Sequence, residues 1–387
     1  MYKPNLFDAT DPHAHKQKRK IVSQVLCESS LRNLQPIISD QINIFLSNIL
    51  HSRDPVNLTP ATRHLAVDII GFLSFGYELS TQTSPKNRFI IDNISIEVYL
   101  MYLYYKFPFM RYLSPLLRII AWKRAKTMAD ALKDMIEARM RLPKDARPDF
   151  FSHVPEFGSK DGQKIMDTDL WTDAVQFIGS GGTTVSTAMS ATFFYLSRHP
   201  EVYAKVAKEV RETFASGQDI RAGTQLASCK YLRAVIDESM RLSPPSILSL
   251  YREPLPSSTE PFIVEGQVIP RGTEVAVNPY SLLRNENYFP EPAAFKPERW
   301  LDTTTEEFKK MRKANVIFGF SNRNCAGKQF AYLEMNMVIA RTLWYFDFER
   351  TDTGEEFKMD DVLVVEHDGP VLKFTPRGDY YNDLVCR

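Results

Sequence analysis

The segment Phe318-Gly319-Phe320-Ser321-Asn322-Arg323-Asn324-Cys325-Ala326-Gly327 places a single cysteine in a glycine-bearing loop, two residues after an arginine. An amphipathic stretch from Lys328 to about Tyr345 follows at once. Cysteine pKa falls at helix N-termini and beside arginine, which favours the thiolate. A thiolate so placed is a ligand in waiting, and as the axial ligand of a heme iron it activates oxygen. The alternative is a buried free cysteine packing as a small hydrophobe, the commoner fate of a lone Cys. The loop alone leaves both readings open.

A second segment bears on the choice. Residues 170–197 carry helical periodicity, yet Gly179-Ser180-Gly181-Gly182-Thr183-Thr184-Val185 lies in their middle. Each interior glycine costs ~1 kcal/mol relative to alanine, so three cost roughly 3 kcal/mol. Such a run is tolerated where a group approaches the backbone closely, where the helix bulges open, or where two helices pack tightly. The phosphate-loop patterns G-x-x-x-x-G-K-[ST] and G-x-G-x-x-G both fail here. A hydroxyl such as Thr183, beside a locally opened helix, would hold a water and relay protons. Together with Cys325, this reads as an oxygen-activating site.

Three charge constellations remain. Glu238 and Arg241 are i,i+3 neighbours on one helix face, where an exposed pair would be worth little. Phe295-Lys296-Pro297-Glu298-Arg299-Trp300 adds a proline-fixed, aromatic-flanked arginine. If Arg299 meets Glu238 and Arg241, the three form a buried charge-assisted network behind the cysteine loop. His15 and Arg19 share a helix face at i,i+4, suited to an anionic ligand or to the solvated basic stretch Lys16–Lys20.

The elements that must position these residues are mostly helical. Apolar residues at Leu34, Ile37, Ile38, Ile42, Phe45 and Ile49 form a 3.6-residue stripe over 31–50. Similar periods recur at about 61–76, 88–104, 118–141, 168–197, 200–214, 226–242 and 328–345. Residues 143–167, 215–225 and 253–260 read as connections. A minor β region is expected at Phe262–Val264 and Val268–Ile269 around Gly266, continued by Glu274–Val277. A second hairpin is expected from Val362–Glu366 and Val371–Thr375, turning at His367-Asp368-Gly369-Pro370.

The 387 residues are 44% hydrophobic and 25% charged with net charge +1, enough for a large core and unlike a dedicated nucleic-acid binder. The four cysteines, Cys27, Cys229, Cys325 and Cys386, form no C-x-x-C pair, so neither a zinc site nor a disulfide framework is indicated. Residues 98–122 are rich in Tyr, Phe, Leu and Ile but are interrupted by Lys106, Pro108, Arg111 and Pro115. They suit a pocket roof or a surface dipping into lipid better than a spanning helix. One mainly α domain over 1–387 with a minor sheet is expected.

In this order the pieces resemble the cytochrome P-450 family of heme-thiolate monooxygenases, in detail its fungal microsomal members, from about Asp11 to Pro376. The glycine run is similar to that family's oxygen-binding helix. Glu238-Ser239-Met240-Arg241 is similar to its E-x-x-R motif, and Phe295–Trp300 to its F-x-P-E-R-W segment. Residues 318–327 match its heme loop at Phe318, Arg323, Cys325 and Gly327. His15-x-x-x-Arg19 and Arg252 match its propionate contacts.

The resemblance implies the P-450 fold, with heme b on Cys325 as proximal iron ligand. It makes Arg323, Arg252, His15 and Arg19 propionate partners and Phe318 a shield of the thiolate. Gly327 then lets the next helix approach the porphyrin, and Thr183 and Thr184 deliver protons. The reaction implied inserts one oxygen atom into a lipophilic small molecule, in fungal secondary metabolism, with electrons from NADPH-cytochrome P-450 reductase. Lys16, Lys18, Lys20 and Lys328 would face that reductase. The distal pocket would draw on residues 98–122, Phe177, Pro245-Ser246-Ile247-Leu248 and the turn near His367.

Three departures qualify these expectations. Gly182 stands where the family carries an acid, so dehydration, isomerisation or ring-forming chemistry is an alternative to hydroxylation. Ser321 replaces a usual glycine, with strain expected if its φ is positive. The family places an anchor, a helix pair and part of the sheet before the position of His15, so an N-terminally truncated chain with an exposed edge at 262–277 is expected. The endoplasmic reticulum surface is implied by resemblance, with a cytoplasmic location as the alternative. A heme-binding protein without turnover and a heme-free helical protein are the competing functions.

Overall fold

The computed structural model describes residues 4–153, 169–254, 258–354 and 356–385. The expected connections at 143–167 and 253–260 fall partly outside these residues.

Helices α1 (Pro12–Val25), α2 (Glu28–His51), α3 (Leu58–Phe75), α4 (Phe89–Lys106) and α5 (Ser114–Met140) fill the first part of the chain. After them come α6 (Asp169–Arg198), α7 (Pro200–Thr213), the short α8 (Thr224–Ser228) and α9 (Lys230–Leu242). The set closes with α10 (Pro279–Leu283), α11 (Glu306–Ala314), α12 (Lys328–Tyr345) and α13 (Asn382–Val385). Local chemistry starts several of them. Asp11 accepts from Ala14 N–H at 2.7 Å ahead of Pro12, and Asn57 accepts from Thr59 N–H at 2.9 Å at the head of α3.

Helix α6 runs through the centre, packed on α3, α9 and α12. The α2 stripe turns Leu34, Ile38, Ile42, Phe45 and Ile49 into the same core, with Ile37 half-buried at its rim. Burying side chains of this kind contributes roughly 1.5–3 kcal/mol each.

The strands depart from the sequence expectation. Val371–Pro376 (β7) forms no hairpin with the preceding strand. It lies between β1 (Val56–Asn57) and β4 (Phe346–Arg350) in an antiparallel sheet, with Phe348 opposite Phe374. The tight hairpin is instead β5 (Asp360–Val362) to β6 (Val364–Glu366), turning at Leu363 with φ 78°. Strands β2 (Phe262–Val264) and β3 (Gln267–Ile269) pair around Glu265-Gly266. Glu274–Val277 adds no strand, only a bridge from Val275 to Arg252. Ile263, Val264 and Val268 stay exposed on that hairpin.

Candidate active site

The cysteine loop is built from backbone conformations that few residues adopt. Gly319 has φ 69° and Ser321 has φ 56°, the left-handed region in which a serine is strained. A 3₁₀ turn over Ser321–Arg323 brings the chain back, and Cys325 N–H donates to Phe318 C=O at 2.7 Å. Gly327 caps α12, and a β-carbon added there would stand 3.9 Å from Cys325 Sγ. Cys325 is exposed in the mouth of the site. The expected lowering of its pKa does not hold for the free thiol. Protein packed behind the sulfur pushes the thiol up, against the Gly327 and Lys328 N–H groups and the Arg19 and Lys328 charges.

Three arginines and a histidine gather beside this loop. Arg19 donates to the backbone and side-chain oxygens of Asn324, both at 2.5 Å. Arg323 donates to Ala9 C=O at 2.6 Å, and Arg252 donates to Tyr251 C=O at 2.9 Å. His15 is buried, and its pKa is lowered by that burial and by the charges of Arg323 and Arg19. The guanidinium of Arg323 is likewise held down by burial and by Arg252. Among the described residues no carboxylate bonds to any of the four. Each guanidinium has five N–H donors, so each keeps some free. Three like charges held together in this way favour an anionic counter-ion.

On the oxygen-helix segment the structure corrects one expectation. Helix α6 is continuous from Asp169 to Arg198, with no bulge. Two of the three glycines serve tight packing on α3. A β-carbon would fall 2.7 Å from Ile70 at Gly181 and 2.7 Å from Val67 at Gly182. An acid at 182 would point into α3, not into the site. Gly179 is different, with only Ile94 nearby at 3.9 Å. Buried Thr183 donates to Gly179 C=O at 3.0 Å, and Thr184, half-buried, donates to Ser180 C=O at 2.6 Å.

Glu238, Arg241 and Arg299 do come together. Glu238 is fully buried and accepts two bonds from Arg241, both at 2.9 Å, and one from Arg299 at 3.1 Å. Trp300 Nε1 and Lys296 N–H complete its coordination at 2.9 and 3.0 Å. Arg241 also donates to the carbonyls of Leu283, Pro292 and Ala294. Every polar atom at the centre has a partner, the condition under which a buried charge is tolerated.

Other expected residues sit elsewhere. Lys18 is buried and pairs with Asp173 at 2.9 Å, so it does not face a reductase, whereas Lys16, Lys20 and Lys328 are exposed. Phe177 packs edge-on against Phe150 in the core. His367 is buried against Phe357 and Thr187 rather than lining the open cleft. Pro245 and Ser246 are laced to the β5–β6 hairpin through Val365 N–H and Leu363 C=O. Sequence reasoning passed over Asp237 and Tyr332, joined at 2.5 Å. Their only sequence signal is helical spacing, four residues after Arg233 and after Lys328.

A mainly helical fold that gathers three arginines and a histidine beside one exposed loop cysteine has the make-up of a heme-thiolate protein. The cytochrome P450 family model matches residues 3–374, and the chain belongs to that family. It is 29% identical over 402 residues to a cytochrome P450 monooxygenase of Gibberella zeae, covering 97% of this chain and 92% of that one. Cytochrome P450 monooxygenase lcsN of Purpureocillium lilacinum is 32% identical over 336 residues, 83% of this chain and 99% of the relative. Cytochrome P450 monooxygenase poxM of Penicillium oxalicum is 28% identical over 96% of this chain and 74% of its own length.

Proposed function

We propose that this chain is a heme-thiolate monooxygenase that carries heme b on Cys325 and oxidises a lipophilic small molecule of fungal secondary metabolism. The observation that carries the reading is the pairing of an exposed Cys325 with three arginines and a histidine that bond to no carboxylate among the described residues. That donor set fits a cofactor with one soft-ligand iron and two carboxylates.

Heme b, when bound, supplies the two-electron activation of dioxygen that puts one oxygen atom into an organic substrate and releases the other as water. Cys325 holds the iron, and the Gly327 and Lys328 N–H groups temper the charge on its sulfur. His15, Arg19, Arg252 and Arg323 take the two propionates. The Thr183 hydroxyl, released from the Gly179 carbonyl, would hold a proton for the bound oxidant, with Thr184 on the more open side relaying from solvent. With Gly182 packed on α3 and carrying no acid, proton delivery rests on these two hydroxyls.

Electrons come from NADPH through a cytochrome P450 reductase, received at the exposed Lys16, Lys20 and Lys328. Tyr99, Phe107, Phe109, Tyr112, Leu116, Ile119 and Trp122 expose a broad apolar surface across α4 and α5. Patches of this kind mark interaction with lipid or another apolar body, which supports peripheral contact with the endoplasmic reticulum membrane and delivery of a lipophilic substrate. Among the described residues no helix is long and apolar enough to cross a membrane. The test is reconstitution with heme, reductase and NADPH, where oxygenated product must appear with NADPH consumption. Electron uptake that yields only peroxide with every lipophilic substrate offered would remove the monooxygenase reading.

A further inference from the structure

Cys27 stands at the turn between α1 and α2, half-buried at the edge of an open groove of about 540 Å³. Lys20 and Ser23 from α1, Ser29 and Ser30 from α2, and His153 from the 3₁₀ turn Phe150–His153 line the groove with it. Cys27 Sγ is 3.1 Å from Ser29 Oγ and 3.3 Å from Ser30 Oγ. Ser30 Oγ lies in turn 2.9 Å from His153 Nε2. The cysteine is thus joined, through a serine, to a histidine from a distant part of the chain.

The bonds behind His153 fix its tautomer. Nδ1 faces Asp149 C=O at 3.2 Å and Ser152 Oγ at 2.9 Å, and Ser152 donates its own hydrogen to that carbonyl at 2.7 Å. Facing two acceptors, Nδ1 carries the proton, and Nε2 is the acceptor turned to Ser30. Asp149 is itself held, its buried carboxylate paired with Arg139. The Ser30 hydrogen has two acceptors in reach, His153 Nε2 and Gln24 C=O, each at 2.9 Å. Turned to the histidine, Ser30 accepts from the Cys27 thiol, and a proton path runs from sulfur to imidazole. The Ser29 and Ser30 hydroxyls, and then the Ser30 N–H, draw the thiol down to about 7, against an ordinary value of 9. Burial pushes Cys229 and Cys325 the other way. Among the described residues no carboxylate lines the groove, since Glu28 is exposed and pairs with Arg32 at 3.6 Å. Its one cation is the exposed Lys20.

We propose that Cys27 is a thiol-modification site that takes a small anionic disulfide of the glutathione type from this groove. Ser30 and His153 remove the thiol proton, and Sγ attacks one sulfur of the disulfide. A bond forms between Cys27 and that half, and the original S–S bond breaks. Its electron pair leaves with the other half as a thiolate, which takes up the proton. Cys27 is oxidised and the departing half is reduced. Lys20 receives a carboxylate of the half that stays. The site works whether or not heme is bound.

The test treats the purified full chain with glutathione disulfide and maps adducts by peptide mass spectrometry. The adduct should form on Cys27 and be lost in Cys27→Ser. At pH 7 a thiol of pKa about 7 is about half ionised against ~1% at an ordinary 9, yet its anion is the weaker nucleophile, a net gain of about sixfold. Ser29→Ala, Ser30→Ala should therefore react up to about sixfold more slowly than the parent at pH 7 and up to about fourfold faster at pH 9. The groups that face the sulfur, Lys20 of α1 and His153, with Glu28 beside it on α2, are common to both proteins, so the crossing reports the thiol. Serines with a merely structural role would move both rates in one direction. Lys20→Glu should slow glutathione disulfide about two- to fivefold and leave neutral hydroxyethyl disulfide unchanged. If the double variant does not fold, Ser29→Ala, at an exposed position, decides with a smaller crossing. No adduct on Cys27, slowing at both pH values, or an equal effect of Lys20→Glu on the two disulfides would overturn the proposal.

Discussion

Two groups of arginines, one around Glu238 and one beside the cysteine loop, are built on opposite principles. Around Glu238 the cations converge on a buried carboxylate, and carbonyls and an indole N–H use the remaining bonding capacity. Beside Cys325 the basic side chains converge on one another, with burial and then Arg323 and Arg19 depressing His15, and burial and then Arg252 depressing Arg323. The first group is complete and holds the fold. The second is incomplete and holds a place for an anion. Residue type does not separate a structural arginine from a binding one; the presence of a resident counter-ion does.

The comparison breaks first at the clamp. Arg241→Ala leaves Glu238 charged, buried and short of two bonds, a loss of ~3–5 kcal/mol. Thermal denaturation and soluble yield should both fall sharply, and a small change in either would place Glu238 outside the stabilising network. Arg252→Ala should behave in the opposite way. It relieves repulsion in the ring, so heme-free stability holds, while heme dissociates about ten- to a hundredfold faster for ~1.5–3 kcal/mol of lost charged bonding. Transfer of heme to an apo-acceptor protein measures this.

A pH titration supplies the baseline for both groups. His367 is buried and His64 half-buried outside them, and desolvation with neighbouring arginines holds each near about 4, against an ordinary value of 6.5. The unfolded chain binds the extra protons between those values, so stability is full above 6.5 and is lost as pH falls toward 4. From pH 7 to 5 the buried His367 costs ~2 kcal/mol and the half-buried His64 less, and His367→Gln should flatten much of that slope in denaturant melts.

The smallest expected effect concerns the glycine run. Gly182→Ala regains helix propensity but drives a methyl to within 2.7 Å of the branched side chain of Val67. The net should be destabilising by ~1 kcal/mol, reversed when paired with Val67→Ala. Stabilisation by Gly182→Ala alone would restore the reading of an opened helix.

This position also marks the reach of sequence reasoning. Periodicity located α2, α6 and α12, and the spacing of Glu238 and Arg241 placed them on one face. The meaning of Gly181 and Gly182 depended on α3, a partner more than a hundred residues away in the chain, which no local pattern contains. Strand β7 was legible as a strand, but its partner β4 continues α12 without a break and reads as helix. The β5–β6 turn rests on Leu363 in a left-handed conformation that its side chain does not advertise. Lys18 looked like one of a solvated basic run, yet it shares an inward α1 face with His15 and Val22 and meets Asp173. In each case the missing term is a tertiary partner, which overrides the local preference.

The central claim is that Cys325 is the axial ligand of a heme held by the open cation ring. The direct measurement is the carbon monoxide difference spectrum of the reduced, heme-loaded protein and of its Cys325→Ser variant. The red-shifted Soret band of a thiolate-ligated heme should be present in the parent and absent in Cys325→Ser. A band that survives the substitution, or a parent that never shows one, would contradict the assignment.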